Sequence, residues 1–341
     1  MGKITSIMLF LLFVVLPALF GTGCSGSREA QGEERITWPP PPDTPRIAFV
    51  RTYRGEEDFP NALSSVLGSL AGKSNVIKLA RPFDVCVAAD GNIFVTDAMQ
   101  GVVKFDPNKK EASALGEKSV MDLKDPRGIA CGHGKVFIGL AGSGKIAVLD
   151  EDGKFIQAIG KENQFPNPVD VVADTLRNRI YVVDDRLHRV LVYSESGDSL
   201  FSIGSRGTGD GQFNFPISAA VDSAGNVYVV DSFNYRVEIF DSAGKFQRTF
   251  GKQGDAYGTF ARPKGIALDS FGDIYVLDGL HNNYQVFNNA GELLMFVGRY
   301  SPNNDGFENP VSIAIDGSNK IYVTDNLNGR LQVFQLLVPK N

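Results

Sequence analysis

From about residue 80 onward, short apolar runs of strand length alternate with polar, glycine-bearing turns, and the same order of runs recurs. Aligning the chain on proline gives Pro82, Pro126, Pro168, Pro216, Pro263 and Pro310, spaced 42–48 residues apart. Each proline opens a first run ("FDVCVA", "RGIACG", "VDVVAD", "ISAAVD", "KGIALD", "VSIAID"), and after a turn comes a second ("NIFVTD", "KVFIGL", "RIYVVD", "NVYVVD", "DIYVLD", "KIYVTD"). A third run follows, as in "RVLVY", "RVEIF" and "RLQVF", then a fourth ending in glycine, as in "FIQAIG", "SLFSIG", "FQRTFG" and "LLMFVG". β-Branched and aromatic residues fill the runs while Gly, Asn and Asp fill the turns, so each unit predicts four short antiparallel strands. One such meander cannot bury both faces; six arranged radially can, and a four-stranded repeat of this period predicts an all-β, six-bladed β-propeller.

The sixth unit supplies only three strands before the chain ends. An uncovered sheet edge is a liability that folded proteins avoid. The stretch "RIAFVRTYRG" (46–55) has the alternation of a fourth strand, with Phe49, Arg51 and Tyr53 matching Phe246, Arg248 and Phe250. It is therefore expected to close the last blade. The propeller then spans 46–338: a closure strand at 46–53, a connector at 54–80, and blades over 81–338. Within the connector, Leu63, Val66, Leu67 and Leu70 recur at helical spacing, predicting a short amphipathic helix over 59–72.

"PKGIALDSFGDIYVLD" (263–278) and "GNVYVVDSFNYRVEIF" (225–240) resemble NHL repeats, the units of six-bladed propellers. The resemblance covers about 80–341. Blade two departs most, with Leu140 where the other blades end strand two in Asp and "LAGSGK" in place of the Asp-x-x-Asn-x-Arg turn.

The ends change the picture of where this propeller works. Lys3, an apolar run at 7–20 too short for a comfortable membrane span, and "GTG" before Cys24 resemble a bacterial lipoprotein signal over 1–23. The resemblance implies lipidation at Cys24 and a cell-envelope location. Ser25, rather than Asp, after the cysteine leans toward the periplasmic side of the outer membrane or the cell surface. Residues 24–45 read as a polar tether followed by a polyproline spacer, "WPPPPDTP". The formal charge of −5 without a basic block disfavours nucleic-acid binding. Cys86 and Cys131 fall at strand positions that differ by one, so their side chains are expected to face opposite ways and remain buried thiols rather than a disulfide.

Candidate chemistry divides between the two faces of the disc. Turns after strands one and three are short and regular, whereas turns after strand two and the links between blades are longer and varied. The second face is the candidate surface, because function tends to sit on variable loops held by a rigid scaffold. There Asp97, Asp184, Asp231, Asp278 and Asp325 end strand two, and Arg189, Arg236 and Arg330 follow five residues behind three of them. A feature repeated once per blade reads as architecture, with the arginine fixing the turn. Residues that vary among these turns are the more informative candidates: His188, Phe233, Tyr235, His281, Asn282 and Asn328. Near the channel, Arg81, Arg127, Arg262 and Lys264 with Asp84 and Asp170 form a mixed-charge mouth suited to a peptide or small polar ligand, or simply a ring of solvated side chains.

The resemblance also implies enzymatic alternatives. Peptide-amidating lyases of this architecture hold zinc with one histidine from each of three blades, and lactonase-type propellers hold calcium in the channel. The three histidines here, His133, His188 and His281, do not fall at converging positions, and no clear set of calcium ligands stands out around Asp84 and Asp170. "SPNNDG" (301–306) only partly matches a calcium loop, and "GLAGSGKI" (139–146) lies in strand pattern where a phosphate-binding loop needs a helix. No cofactor and no catalytic residue is expected. The expectation is a monomeric, membrane-anchored binding or scaffold propeller that presents its loop face to an envelope protein or peptide; the alternative is a propeller hydrolase or lyase with a metal in the channel.

Overall fold

The computed structural model describes residues 36–59, 77–115 and 122–337. The expected leader over 1–23, Cys24 and nearly all of the expected 59–72 helix lie outside these residues.

Six antiparallel sheets form the fold. Blade one consists of Pro82–Val87, Ile93–Asp97, Gly101–Asp106 and Glu111–Leu115, and blades two to five repeat this order. First strands of successive blades touch one another, and the first strand of blade six, Pro310–Ile315, touches that of blade one, so the ring is closed. First strands therefore line the axis, and blades three apart face each other across it.

Ring closure follows the expectation. Ile47–Tyr53 pairs antiparallel with Arg330–Leu336, placing Phe49 opposite Phe334 and Tyr53 opposite Leu331. The sheet also extends further toward the N-terminus than expected. Thr37–Trp38 forms a fifth strand with Trp38 opposite Ile47, and the Trp38 ring packs edge-on to Phe334 at 5.6 Å. The prolines at 39–42 thus form the loop between two paired strands rather than a stand-off spacer. Burying the Trp38 ring against the last blade gains more than leaving it in a solvated tether.

The core is divided among the seams. Each of six apolar clusters joins two neighbouring blades; between blades one and two it combines Phe94 and Val102 with Val136, Ile138 and Leu149. This radial stacking overturns the expectation for the cysteines. Cys86 and Cys131 are disulfide-bonded, with Cα atoms 5.6 Å apart. Their side chains do leave opposite faces of their own sheets. In a propeller, however, the forward face of one blade packs on the rear face of the next, so opposite-facing positions in adjacent blades are the ones that meet.

In every blade the ladder between the first and second strands slips just after the proline. Such irregularities re-aim side chains. Here they leave out of the ladder the residue after the proline in blades three and four and the next two residues in the other blades, at the axis.

Candidate site: a funnel at the axis

Two rings of residues follow from that slip. Those directly after the proline are Phe83, Arg127, Val169, Ile217, Lys264 and Val311. All six line one cavity of about 300 Å³. Arg127 of blade two and Lys264 of blade five stand on opposite walls, with apolar side chains filling the four positions between them. At the rim are Asn167, Arg262 and Asn309, with Asp185 and Asn326 from the turns after strand two.

The next ring, Asp84, Gly128, Asp170, Ser218, Gly265 and Ser312, forms the floor. Its polar side chains tie blades one, three, four and six each to the next blade. Asp84 Oδ2 accepts the Ile129 amide at 2.7 Å, Asp170 Oδ2 accepts the Ala219 amide at 2.9 Å, and Ser218 Oγ accepts the Ile266 amide at 3.3 Å. Ser312 closes the circle by donating to Asp84 Oδ1. The two glycines stand where blades approach most closely: a Cβ at Gly128 would lie 2.5 Å from Asp170 Cα, and one at Gly265 would lie 2.9 Å from the Ile313 nitrogen.

The floor acids hold protons unusually well. Burial, followed by repulsion from Asp170, pushes the Asp84 carboxyl well above its usual range. Burial lifts Asp170 to about 6, although hydrogen bonds from Ala219, Ser218 and Val171 restrain it. Two adjacent carboxyls in a buried site cannot both ionise readily, so each disfavours the ionisation of the other. Lys264 is only 6% exposed, and burial, then the nearby Arg262 charge, bring its ammonium down to about 8.

Of the twelve candidate residues, the funnel takes Asp84, Arg127, Asp170, Arg262 and Lys264. Arg81 is exposed and outside it. Three of the varying turn residues are staples. His188 Nδ1 accepts the Phe215 amide at 3.2 Å and Asn282 Oδ1 accepts the Asn309 amide at 2.8 Å, each fixing the residue before the next blade's proline. Asn328 donates to the Ser301 carbonyl and to Asp325. His281 lies 3.5 Å from Asp278 with its Nε2 buried and unpartnered. Tyr235, in a left-handed conformation with φ 57°, packs on the seam between blades four and five.

Phe233 belongs to a feature that sequence reading missed. Two residues after the strand-two aspartate, Met99, Phe233, Leu280 and Leu327 are 49–73% exposed. They occupy the contiguous blades four, five, six and one; blades two and three carry Gly142 and Arg186 at this position. Comparing that one repeat position across blades would have revealed the arc. The same comparison at the position after proline would have found Phe83, Val169, Ile217 and Val311.

The strand-two aspartates are architectural. Asp97 Oδ2 accepts the Ala80 and Arg81 amides while Oδ1 accepts those of Met99 and Gln100, joining the incoming link to the turn. Arg236 and Arg330 bond to Asp231 and Asp325 as expected, but Arg189 is exposed and Asp184 relies on backbone amides. In the 301–306 segment, Asp305 is bonded to Arg299 and Ser301.

Among the described residues no group of three or more His, Cys, Asp and Glu side chains is placed to hold a metal. His133 lies on the opposite face of the disc, 2.8 Å from Glu195, so the three histidines do not fit a shared zinc site.

The architecture defines a six-bladed β-propeller. The NHL repeat family matches residues 307–334. A streptogramin B lyase structure covers 76% of this chain and 94% of its own at 13% identity, with a TM-score of 0.55. A gluconolactonase from Xanthomonas campestris covers 85% and 98% at 16% identity, TM-score 0.59. A nidogen/laminin complex structure covers 66% and 84% at 16% identity, TM-score 0.52. At such identities the likeness is one of fold, shared by enzymes and binding proteins alike. No curated protein matches the sequence.

Proposed function

We propose that this chain is an extracytoplasmic binding propeller, anchored to the cell envelope through Cys24, that presents its loop face to a protein partner. The observation that carries this reading is the apolar arc of Met99, Phe233, Leu280 and Leu327 around the funnel mouth. Large apolar side chains repeated at one exposed position lose nothing by contact with a partner and gain about 25 cal/mol per Å² covered. The Cys86–Cys131 disulfide supports an oxidising compartment. A rigid, multiply stapled disc suits a platform, because little conformational freedom is lost when it binds.

Cross-linking in intact envelopes tests the reading. The wild-type protein should give a discrete cross-linked species that is lost when the four arc residues are changed to serine. A variant that keeps the species, with the fold intact, would refute docking through the arc. A Cys24→Ser variant should move from the detergent phase to the aqueous phase; unchanged partitioning would refute the anchor.

A further inference from the structure

We propose that the funnel binds an organic carboxylate, gripped by Lys264 and Arg262, with Arg127 facing it from the opposite wall. The ligand's apolar body would lie against Phe83, Val169, Ile217 and Val311. The site goes beyond the partner-docking reading and does not depend on it.

Lys264 carries the argument. Its ammonium has three protons to donate, yet among the described residues its one hydrogen bond is to Asn309 Oδ1, a neutral amide, at 2.7 Å. The fold makes room for this costly placement. A Cβ at Gly279 would lie 2.6 Å from Lys264 Cε and 3.0 Å from Nζ, so a side chain at 279 would push the end of the lysine aside. Beside it, Arg262 forms no ion pair among the described residues. Asp278 is close enough to offset part of their mutual repulsion, but its oxygens already accept the turn amides of Ala261, Arg262, Leu280 and His281. A buried cation with an unpaired cation as neighbour is costly, and an anion bound between them removes that cost.

Across the funnel, Arg127 lies over the Phe83 ring at 4.5 Å and bonds to Asp125 at 2.9 Å, leaving its buried Nε without a partner. Burial and the neighbouring Asp170 raise the Asp84 carboxyl and so weaken the negative charge of the floor, while Asp170 and Asp185 disfavour a multiply charged anion. A single negative charge joined to hydrocarbon is what these walls complement. The cavity is at the small end of ligand sites, about 300 Å³. It suits either a free short acid or the terminal residue of a polypeptide with its α-carboxylate.

Calorimetric titration of the full-length protein distinguishes these sources. The probes are N-acetyl-leucine, acetyl-Ala-Ala-Leu as free acid, the amide of each, and inorganic phosphate. Each binding acid should exceed its amide at least tenfold in affinity. Binding of both acids assigns the site to free carboxylates, and binding of the tripeptide acid alone assigns it to a chain terminus. Lys264→Met should weaken acid binding at least tenfold. Arg262→Met should also weaken it, and because that side chain is exposed the change leaves the fold intact. Equal binding of acid and amide, no binding of either acid, phosphate binding as tightly as the acids, or an Arg262→Met variant that binds like wild type would each overturn the proposal. Any of these would leave the cross-linking result on the loop face untouched.

Discussion

The two faces of the disc use the same residue types for different ends. On the turn face, the acids that open the turns spend their oxygens on their own turn, as at Asp241, Asp269 and Asp316. Asp316 accepts the Ser318 and Lys320 amides and the hydroxyls of Ser318 and Tyr322. Against the pull of burial, these bonds hold its carboxyl below the usual range. On the loop face, Asp325 is fully buried between the incoming link and the strand-two turn, and burial raises its carboxyl despite the Glu308 amide and the Arg330 guanidinium. The turn-face acid is satisfied within a single turn, whereas the loop-face acid joins the incoming link to the strand-two turn. Among the described residues, the loop face is the one that carries both the apolar arc and the buried Lys264 at the cavity.

The comparison presupposes a closed ring, and breaking the ring has the largest expected effect. Deleting 46–53 removes the strand paired with Arg330–Leu336 and bares the edge of blade six. The melting temperature should fall by more than about 10 °C, with aggregation, at a few degrees per kcal/mol for a domain of this size. Unchanged melting would contradict closure.

Asp325→Ala comes next. It strands Arg330, which also donates to the carbonyls of Pro302, Asn303 and Gly306, and should cost about 3–5 kcal/mol in denaturant unfolding. Asp316→Ala should cost only about 1 kcal/mol, the scale of hydrogen bonds at a half-exposed turn. Equal losses would erase the difference drawn between the faces.

The pH dependence is smaller and has two limbs. Asp170, near 6, and Glu238, raised by burial to about 7, bind protons more tightly folded than unfolded. Their contribution is complete in acid and lost as pH rises through about 6 to 7. Asp316, held low, contributes the opposite limb, lost as pH falls below about 4. Stability should therefore peak at about pH 4, and melting temperatures that decline from about pH 4 to 7 and then level off would show the first limb. Asp170→Asn together with Glu238→Gln should flatten that decline by up to a few kcal/mol, at about 1.4 per pKa unit. A decline of the same size in the double variant would show that these acids are not its source.

Much of the fold was legible because strand period, turn residues and proline spacing all agree at the level of one repeat. Phe49, Arg51 and Tyr53 identified the closure strand by alternation, given a sixth unit that lacks its fourth strand. What a single repeat cannot reveal is how blades face one another, and so the pairing of Cys86 with Cys131 escaped. His188 and Asn282 stood out by varying among turns, yet they fix the next blade's entry; variation there reflects which side chain can accept one amide. Arg127, Lys264, Asp84 and Asp170 were legible as charges near the axis. The apolar positions between the cations were hidden because Val169 and Ile217 look like any strand residue.

Oxidative footprinting in intact envelopes, set against the purified protein, tests most directly whether the loop face is the working face. Exposed apolar side chains on both faces serve as matched reporters: Met99, Phe233, Leu280 and Leu327 on the loop face, Leu176 and Phe271 on the turn face. The account predicts protection of the first four in the envelope with Leu176 and Phe271 unchanged. Protection of Leu176 and Phe271 with the arc left open would contradict it.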